Sequence, residues 1–322
     1  MKAVLCRQFG EPLTIEDVAP SALGAGEVRI KVAACGINFP DTLIIQGKYQ
    51  FKPDLPFSPG SEIAGEVIET APDVSGFAVG DPVIAVTLWG GFAEQLVAKD
   101  WQVMHRPASM DAVTAAAFSM TYGTSYHALK QRAGLKPGER LLVLGAAGGV
   151  GLAAVELGRL MGASVIAAAS SEEKLALARE YGASETIDYS KGSLKEQIKA
   201  VTGGRGADVI YDPVGGDLGA EAVRGLAWNG RLLIVGFAGG AIQSIPANLP
   251  LLKGASVIGV FWGAFREKEP EVEAENFRQL FAWHAEGRLK PLISQTFPLE
   301  RAADALAVLS GRTAMGKLVL TV

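Results

Sequence analysis

The sequence predicts an α/β protein in which a doubly wound parallel sheet follows an irregular, mostly β region. Three observations carry that prediction. Residues Arg140 to Met161 read as a buried strand, a glycine-rich turn and an amphipathic helix in immediate succession. Strand-like and helix-like runs then alternate as far as Phe261, and strands joined through helices of roughly 10 to 15 residues lie parallel. Before residue 120 the texture differs, with short strand-like runs broken by glycine and proline turns.

Taken in order, Val28–Ala33, Glu62–Ile68 and Pro82–Val86 are short strands, separated by turns at Ala25-Gly26, Ser58-Pro59-Gly60 and Val79-Gly80-Asp81-Pro82. Asp111–Lys130 is rich in alanine and other helix formers and bridges into the following region. Leu141–Leu144 is an apolar run of strand length that stops at Gly145. Beyond Gly148, Gly149 and Gly151, the residues Val150, Ala153, Ala154, Leu157, Leu160 and Met161 fall on one helical face. Ser164–Ala169 is a second strand, Glu172–Tyr181 a helix, Glu185–Asp188 a third strand and Ser193–Val201 a helix. Asp208–Tyr211, Gly230–Val235 and Ser256–Phe261 complete a Rossmann-type sheet. The chain then reads charged and helical from Glu271 to Glu286, and Ile293–Phe297 and Lys317–Val322 read as strands.

The glycines have a chemical reason. A backbone without Cβ atoms can approach a pyrophosphate closely, and unpaired amides at a helix N-terminus offer hydrogen bonds and a positive dipole end to the anion. Gly145, Gly148, Gly149 and Val150 are therefore expected to hold a dinucleotide. The spacing is G-x-x-G-x-x-G, weaker alone than G-x-G-x-x-G, and it gains force from the crossover units around it. At the end of the second strand, Ala168-Ala169-Ser170-Ser171 offers no acid for a ribose 2′-hydroxyl before Glu172. Ser170 can donate a hydrogen bond to a 2′-phosphate and Lys174 can supply charge, which points to NADP(H) over NAD(H). The competing reading is that Ser170 or Ser171 only caps a helix and Lys174 is a solvated surface lysine.

Composition narrows the partners. The chain has 322 residues, 49% of them hydrophobic and 20% charged, enough for about two well-buried domains. Its net charge of −4 comes without a basic run, which argues against nucleic acid and anionic membrane as partners. No apolar stretch approaches the ~20 residues that cross a bilayer. A soluble, cytoplasmic protein is expected, with Cys6 and Cys35 reduced and buried.

Several longer segments carry a family resemblance: Cys35–Tyr49 (CGINFPDTLIIQGKY), Leu55–Val67 (LPFSPGSEIAGEV), Gly145–Gly151, Tyr211–Gly216 (YDPVGG), Leu251–Gly263 (LLKGASVIGVFWG) and Gly316–Val322. Over nearly its whole length the chain resembles a medium-chain dehydrogenase/reductase, and within that superfamily the zinc-independent quinone oxidoreductases. The resemblance implies a GroES-like domain of residues 1–122 with 290–322, a Rossmann NADP(H)-binding domain of residues 123–289, and an active site in the cleft facing the Rossmann domain. It also implies a homodimer through the Rossmann sheet, with Ala255–Phe261 as the edge strand. Zinc-dependent relatives carry a cysteine in a CGxC motif and a histidine in a GHE motif, whereas this chain has Asn38 and Ser61 there. These are not a tetrahedral zinc set, so no metal is expected.

The resemblance also nominates site residues. Asn38 matches an asparagine lining the nicotinamide cleft, or is a turn-forming residue. Thr124 matches a threonine near the nicotinamide, or is a helix N-cap. Tyr189 matches a tyrosine against the adenosine phosphate region, or is a half-buried strand-end residue. Val214 and Gly215, with Phe237 and Ala238, stand at the carboxyl ends of strands, where open α/β sheets bind ligands. Phe261 and Trp262 match a segment against the nicotinamide, or belong to a dimer interface. Arg312 and Lys317 resemble a basic pair near the cofactor, though Lys317 also reads as a solvated terminal lysine. His105, His127 and His284 lack ligand-like spacing and default to structural roles.

Tyr49 matches a proton-donating tyrosine of enoyl-thioester reductases, or is an aromatic lid residue over the substrate with water supplying the proton; a phenol of pKa about 10 keeps its proton at neutral pH. The expected activity is NADPH-dependent, zinc-independent hydride transfer to a quinone or other α,β-unsaturated carbonyl, with Asn38 and Tyr49 as catalytic residues. Its alternatives are an enoyl-thioester reductase and a non-catalytic NADPH-binding sensor or structural protein.

Overall fold

In the computed structural model, which describes residues 1–322, the N-terminal region supplies seven strands: β1 (Lys2–Leu5), β2 (Thr14–Asp17), β3 (Glu27–Ile37), β4 (Glu62–Thr70), β5 (Pro82–Val86), β6 (Gln95–Lys99) and β7 (Val103–His105). Six more follow, β8 (Arg140–Leu144), β9 (Ser164–Ala169), β10 (Glu185–Asp188), β11 (Ala207–Asp212), β12 (Leu226–Ile234) and β13 (Ser256–Gly259), and the chain closes with β14 (Ile293–Pro298) and β15 (Lys317–Thr321). The chain divides into two units, Met1–Met120 with Pro291–Val322, and Thr121–Lys290.

The first unit is organised on β3. Along one side β3 pairs antiparallel with β4. On the other side its first half pairs with β6 and its last four residues with β15. A chain that returns after some 170 intervening residues thus completes the central part of this sheet. Alternate residues Val28, Ile30 and Val32 point into the core, and the helix Ala302–Ser310 adds Ala302, Ala305 and Leu306. That helix went unnoticed in the sequence, although its alanine- and leucine-rich spacing is helical.

In the second unit the strands run β10-β9-β8-β11-β12-β13, every neighbouring pair parallel. Leu141 to Leu144 are completely buried, as expected for a central strand covered on both faces. The strand order reverses between β8 and β11, which makes the crevice outside their carboxyl ends the ligand position of such a sheet.

One local expectation changes. The last strand of this sheet ends at Gly259 rather than Phe261, and Trp262 opens a helix, Trp262–Lys268. The Trp262 indole Nε1 donates to Glu273 Oε1 at 2.7 Å in a buried hydrogen bond, away from the sheet line. The bridging segment Asp111–Lys130 is helical in short pieces. Short α-helices at Ala112–Ala115 and Thr124–His127 are flanked by wide turns at Ser119–Gly123 and Ala128–Arg132. No helix is long and apolar enough to cross a membrane.

Candidate nucleotide and catalytic sites

In the second unit, Gly145 follows β8 directly with φ of +59°, a conformation glycine adopts without penalty. A Cβ on Gly145 would stand 3.1 Å from Val214 Cγ2 across the switch point. Gly148 is the N-cap of the helix Gly149–Leu160 and supplies no capping side chain. The first amides of that helix are left for a ligand. A Cβ on Gly151 would fall 2.2 Å from the Gly145 carbonyl oxygen, so the helix can start this close to the turn only with glycine there. The cradle fits a pyrophosphate: it presents backbone donors and carries no side chain where the anion would lie.

The neighbouring loops are pinned by a residue that sequence reasoning passed over. Asp212 ends β11 fully buried, and its Oδ1 accepts from Val214 N at 2.9 Å and Gly215 N at 2.8 Å. Its Oδ2 accepts from Gln243 Nε2 at 3.1 Å. Burial pushes this carboxyl above its usual range, against the pull of the two backbone donors. The loops after β11 and β12 are zipped by Ala238 N to Pro213 O and Gly239 N to Val214 O, at 3.0 and 2.7 Å. A Cβ on Gly215 would meet Phe237 at 2.9 Å, so Val214 and Phe237 share this edge. The signal for Asp212 was present in YDPVGG, where an aspartate precedes a turn whose amides it can collect.

Thr124 is held through its neighbour. Ser125 Oγ donates to the Val150 carbonyl at 2.9 Å and lies 2.9 Å from the Tyr211 hydroxyl, which ties this segment to the glycine helix and to β11. Thr124 is the first residue of its short helix, and the N-cap is Gly123, so the capping alternative does not hold. At the ends of β9 and β10, Ser170 is exposed, while Ser171 caps the helix Glu172–Glu180 by accepting from Lys174 N at 3.4 Å. The register places Ala169 opposite Asp188, next to half-buried Tyr189. Ser170, Lys174 and Tyr189 therefore share one edge. Asp188 adds a carboxylate there, engaged by Lys191 at 3.1 Å. Phe261 is half exposed, whereas Trp262 is buried, with the position of a Gly123 Cβ only 2.5 Å from its ring.

In the first unit, strand register assembles a buried polar cluster. Leu318 of β15 pairs with Ile37 of β3, and Gly36 pairs with Glu62 of β4. Three strand ends therefore deliver Lys317, Asn38 and Glu62 to one place. The Lys317 ammonium donates to Asn38 Oδ1 at 2.6 Å and to the Ile37 carbonyl at 2.9 Å, and lies 3.4 Å from Glu62 Oε2. Asn38 Nδ2 donates to Glu62 Oε2 at 3.2 Å and to Gly36 O at 3.3 Å, and Met120 N donates to Glu62 Oε1 at 2.8 Å. Lys317 is 6% exposed, which overturns its reading as a solvated terminal lysine. The strand pairing turns its side chain inward, and the Glu62 carboxylate compensates its charge.

Asn38 also opens the helix Phe39–Ile44, its backbone N–H donating to Asp41 Oδ2 at 2.7 Å. Asp41 is almost completely buried and accepts from the Gly60 backbone as well; burial raises its carboxyl to about 7. Tyr49 is half-buried with its ring near Phe51, and burial, followed by the nearby Asp41 carboxylate, holds its phenol above the usual range. Ser61 is buried and its hydroxyl has no hydrogen-bond partner. Arg312 is exposed with φ of +57°. Cys6 and Cys35 are buried free thiols. No three His, Cys, Asp or Glu side chains are grouped here, and the Asn38 carbonyl already receives an ammonium.

A six-stranded parallel sheet with a glycine turn at its switch point, joined to a mixed β unit of N-terminal and returning C-terminal chain, defines a medium-chain dehydrogenase/reductase. Residues 24–108 match the family model described as alcohol dehydrogenase GroES-like domain, and residues 149–279 the one described as zinc-binding dehydrogenase. The quinone oxidoreductase-like protein 2 of Bos taurus is 42% identical over 99% of this chain and 92% of its own. Among solved structures, the Escherichia coli quinone oxidoreductase complexed with NADPH superimposes with a TM-score of 0.95 at 28% identity, covering 100% of both chains. The Thermus thermophilus quinone oxidoreductase, solved alone and with NADPH, gives 0.87 at 33% identity, again over 100% of both. The chain belongs to the quinone oxidoreductase family of medium-chain dehydrogenases/reductases.

Proposed function

We propose that the protein is an NADPH-dependent reductase that transfers hydride to a quinone or other α,β-unsaturated carbonyl without a metal. The observation that carries this reading is the Lys317–Asn38–Glu62 cluster. In the family pattern Asn38 stands where zinc-dependent relatives have a ligand, and here its amide is occupied on both sides by fixed charges. Alcohol oxidation without zinc lacks a Lewis acid to stabilise an alkoxide, whereas a quinone or enone accepts hydride directly. Cofactor binding is supported by the glycine cradle at Gly145, Gly148, Gly149 and Val150 and by the NADPH complexes of the relatives. Thr124, Val214, Phe237, Phe261, Trp262 and Arg312 complete the proposed cofactor contacts.

NADPH, when bound, supplies a hydride from nicotinamide C4. Ser170 and Lys174, with Tyr189 beside them, would hold the 2′-phosphate. Asn38 lines the acceptor position with its amide oriented by Lys317 and Glu62. Tyr49 keeps its proton at neutral pH and donates it to the reduced acceptor, then recovers one from solvent. That half-buried phenol also favours a second reading, an enoyl-thioester reductase, in which Tyr49 protonates the enolate. Initial rates of NADPH oxidation by wild type and Tyr49→Phe against quinones, small enones and enoyl-thioesters separate the two. Quinone turnover with a modest loss in the variant supports the first, thioester turnover abolished by the variant the second, and none at all refutes both.

We further propose a cytoplasmic homodimer joined through β13. This strand forms the free edge of the parallel sheet, and Val257, Leu251 and Phe261 leave apolar surface uncovered beside it. Sedimentation of Val257→Lys as a monomer, against a dimeric wild type, would support that assembly.

A further inference from the structure

The opposite end of the parallel sheet, where β11 and β12 begin, carries a hollow of about 220 Å³. Four of its lining side chains are basic, Lys199, Arg205, Arg224 and Lys253, and none is acidic. Trp228 and Leu252 form its apolar wall. In a chain of net charge −4 this concentration of positive charge is local. Arg205 and Arg224 are exposed, and no hydrogen bond or ion pair engages either guanidinium. Lys199 shares Glu196 with Lys195, each at 3.4 Å. The Lys253 ammonium donates to the Leu226 carbonyl at 2.6 Å, and burial together with Lys199 and Lys195 lowers its proton affinity.

The backbone segments that line this hollow approach one another closely. A Cβ on Gly206 would stand 2.6 Å from Gly225 O, and one on Gly225 would stand 2.4 Å from Ile198 Cδ1, so glycines let the three lining segments meet closely. Asn229 and Gly254 both adopt left-handed φ, +59° and +57°. Between them they present Trp228, whose ring lies 3.5 Å from the position of a Gly254 Cβ and is 72% exposed. A tryptophan face left in water forfeits stabilisation that a flat ligand would recover.

We infer that this hollow is a second ligand site, for a small molecule that joins a phosphate to a flat ring, of the nucleoside monophosphate class. The guanidiniums of Arg205 and Arg224 are free to grip phosphate oxygens bidentately, and Lys199 and Lys253 add point charge. The ring stacks on Trp228. The site lies at the amino ends of the strands, whereas the dinucleotide cradle lies at their carboxyl ends, so occupancy of one leaves the other intact.

The test is calorimetric titration of the full-length protein with AMP, inorganic phosphate and adenosine, together with Trp228 fluorescence read against Trp228→Phe. AMP is expected to bind with one-to-one stoichiometry at this site, more tightly than phosphate or adenosine, and more weakly as salt rises. Arg205→Glu/Arg224→Glu should weaken it about tenfold or more with the melting temperature unchanged, since neither side chain has a partner to lose. Gly151→Ala, which crowds the dinucleotide cradle, should leave it in place; this separates the second site from the cofactor proposal. Absence of AMP binding, binding indifferent to the charge reversals, loss in Gly151→Ala alone, or phosphate or adenosine binding as tight as AMP would each overturn the inference.

Discussion

Replacing Lys317 by methionine should destabilise the first unit by an amount that its surroundings set. The substitution keeps the length and apolar stem of the side chain but removes the ammonium from a place where Glu62 is wholly buried. Leaving one member of a buried pair uncompensated costs roughly 3–5 kcal/mol. The lower end applies here, because Glu62 keeps two N–H donors, Asn38 Nδ2 and Met120 N. With about 2–4 °C of melting temperature per kcal/mol for a unit of this size, a loss near 3 kcal/mol lowers the transition by about 6–12 °C. Calorimetric melting of wild type, Lys317→Met, Glu62→Gln and the double variant gives the check. Neutralising Glu62 as well removes the orphaned charge, so the double variant should melt well above the sum of the two single losses. A single variant within about 2 °C of wild type, or strict additivity, would mean that the cluster carries no coupled charge.

Gly151→Ala drives a methyl group to within 2.2 Å of the Gly145 carbonyl, and the glycine turn must shift to accept it; overpacking of about 1–3 kcal/mol translates into an NADPH affinity lowered roughly 5- to 150-fold by fluorescence titration. Lys174→Ala should reduce the NADPH to NADH affinity ratio by about tenfold, the worth of one charge-assisted hydrogen bond, and an unchanged ratio would remove the 2′-phosphate assignment. For Asp41 the sign follows from burial: its carboxyl titrates near 7 in the fold and near 3.8 when unfolded. The folded chain retains the proton over that interval, so stability declines as pH rises from about 4 to about 7. Asp41→Asn should show a flatter denaturation midpoint across those values, and identical slopes would contradict a buried, protonated Asp41.

What could be read from the chain divides along physical lines. The Rossmann sheet was legible because its signals are local: buried apolar strands, helical periodicity, and glycines whose spacing has a chemical reason. Gly151 shows this well, since its need for a bare backbone is visible in the spacing and explained by its distance to Gly145 O. The Lys317 cluster was not legible, because it depends on β15 returning beside β3 across most of the sequence, and no local pattern encodes that pairing. Asn38 could be singled out, but not the partners of its amide. Asp212, Ser125 and Asp41 escaped notice for a related reason: a buried polar residue reads as a surface residue until its hydrogen-bond partners are seen. Trp262 reads as a strand end in the sequence, whereas it opens a helix and its indole reaches Glu273, a partner no local pattern reveals.

Metal-independent hydride transfer from NADPH can be read in a stopped-flow single turnover on chelator-dialysed protein loaded with stoichiometric NADPH and mixed with a quinone. Acceptor-dependent oxidation is expected at a rate indifferent to the chelator and slowed when nicotinamide C4 carries deuterium in the transferred position. Oxidation that disappears on chelation and returns with zinc, or NADPH that binds and is never oxidised by any acceptor, would contradict it.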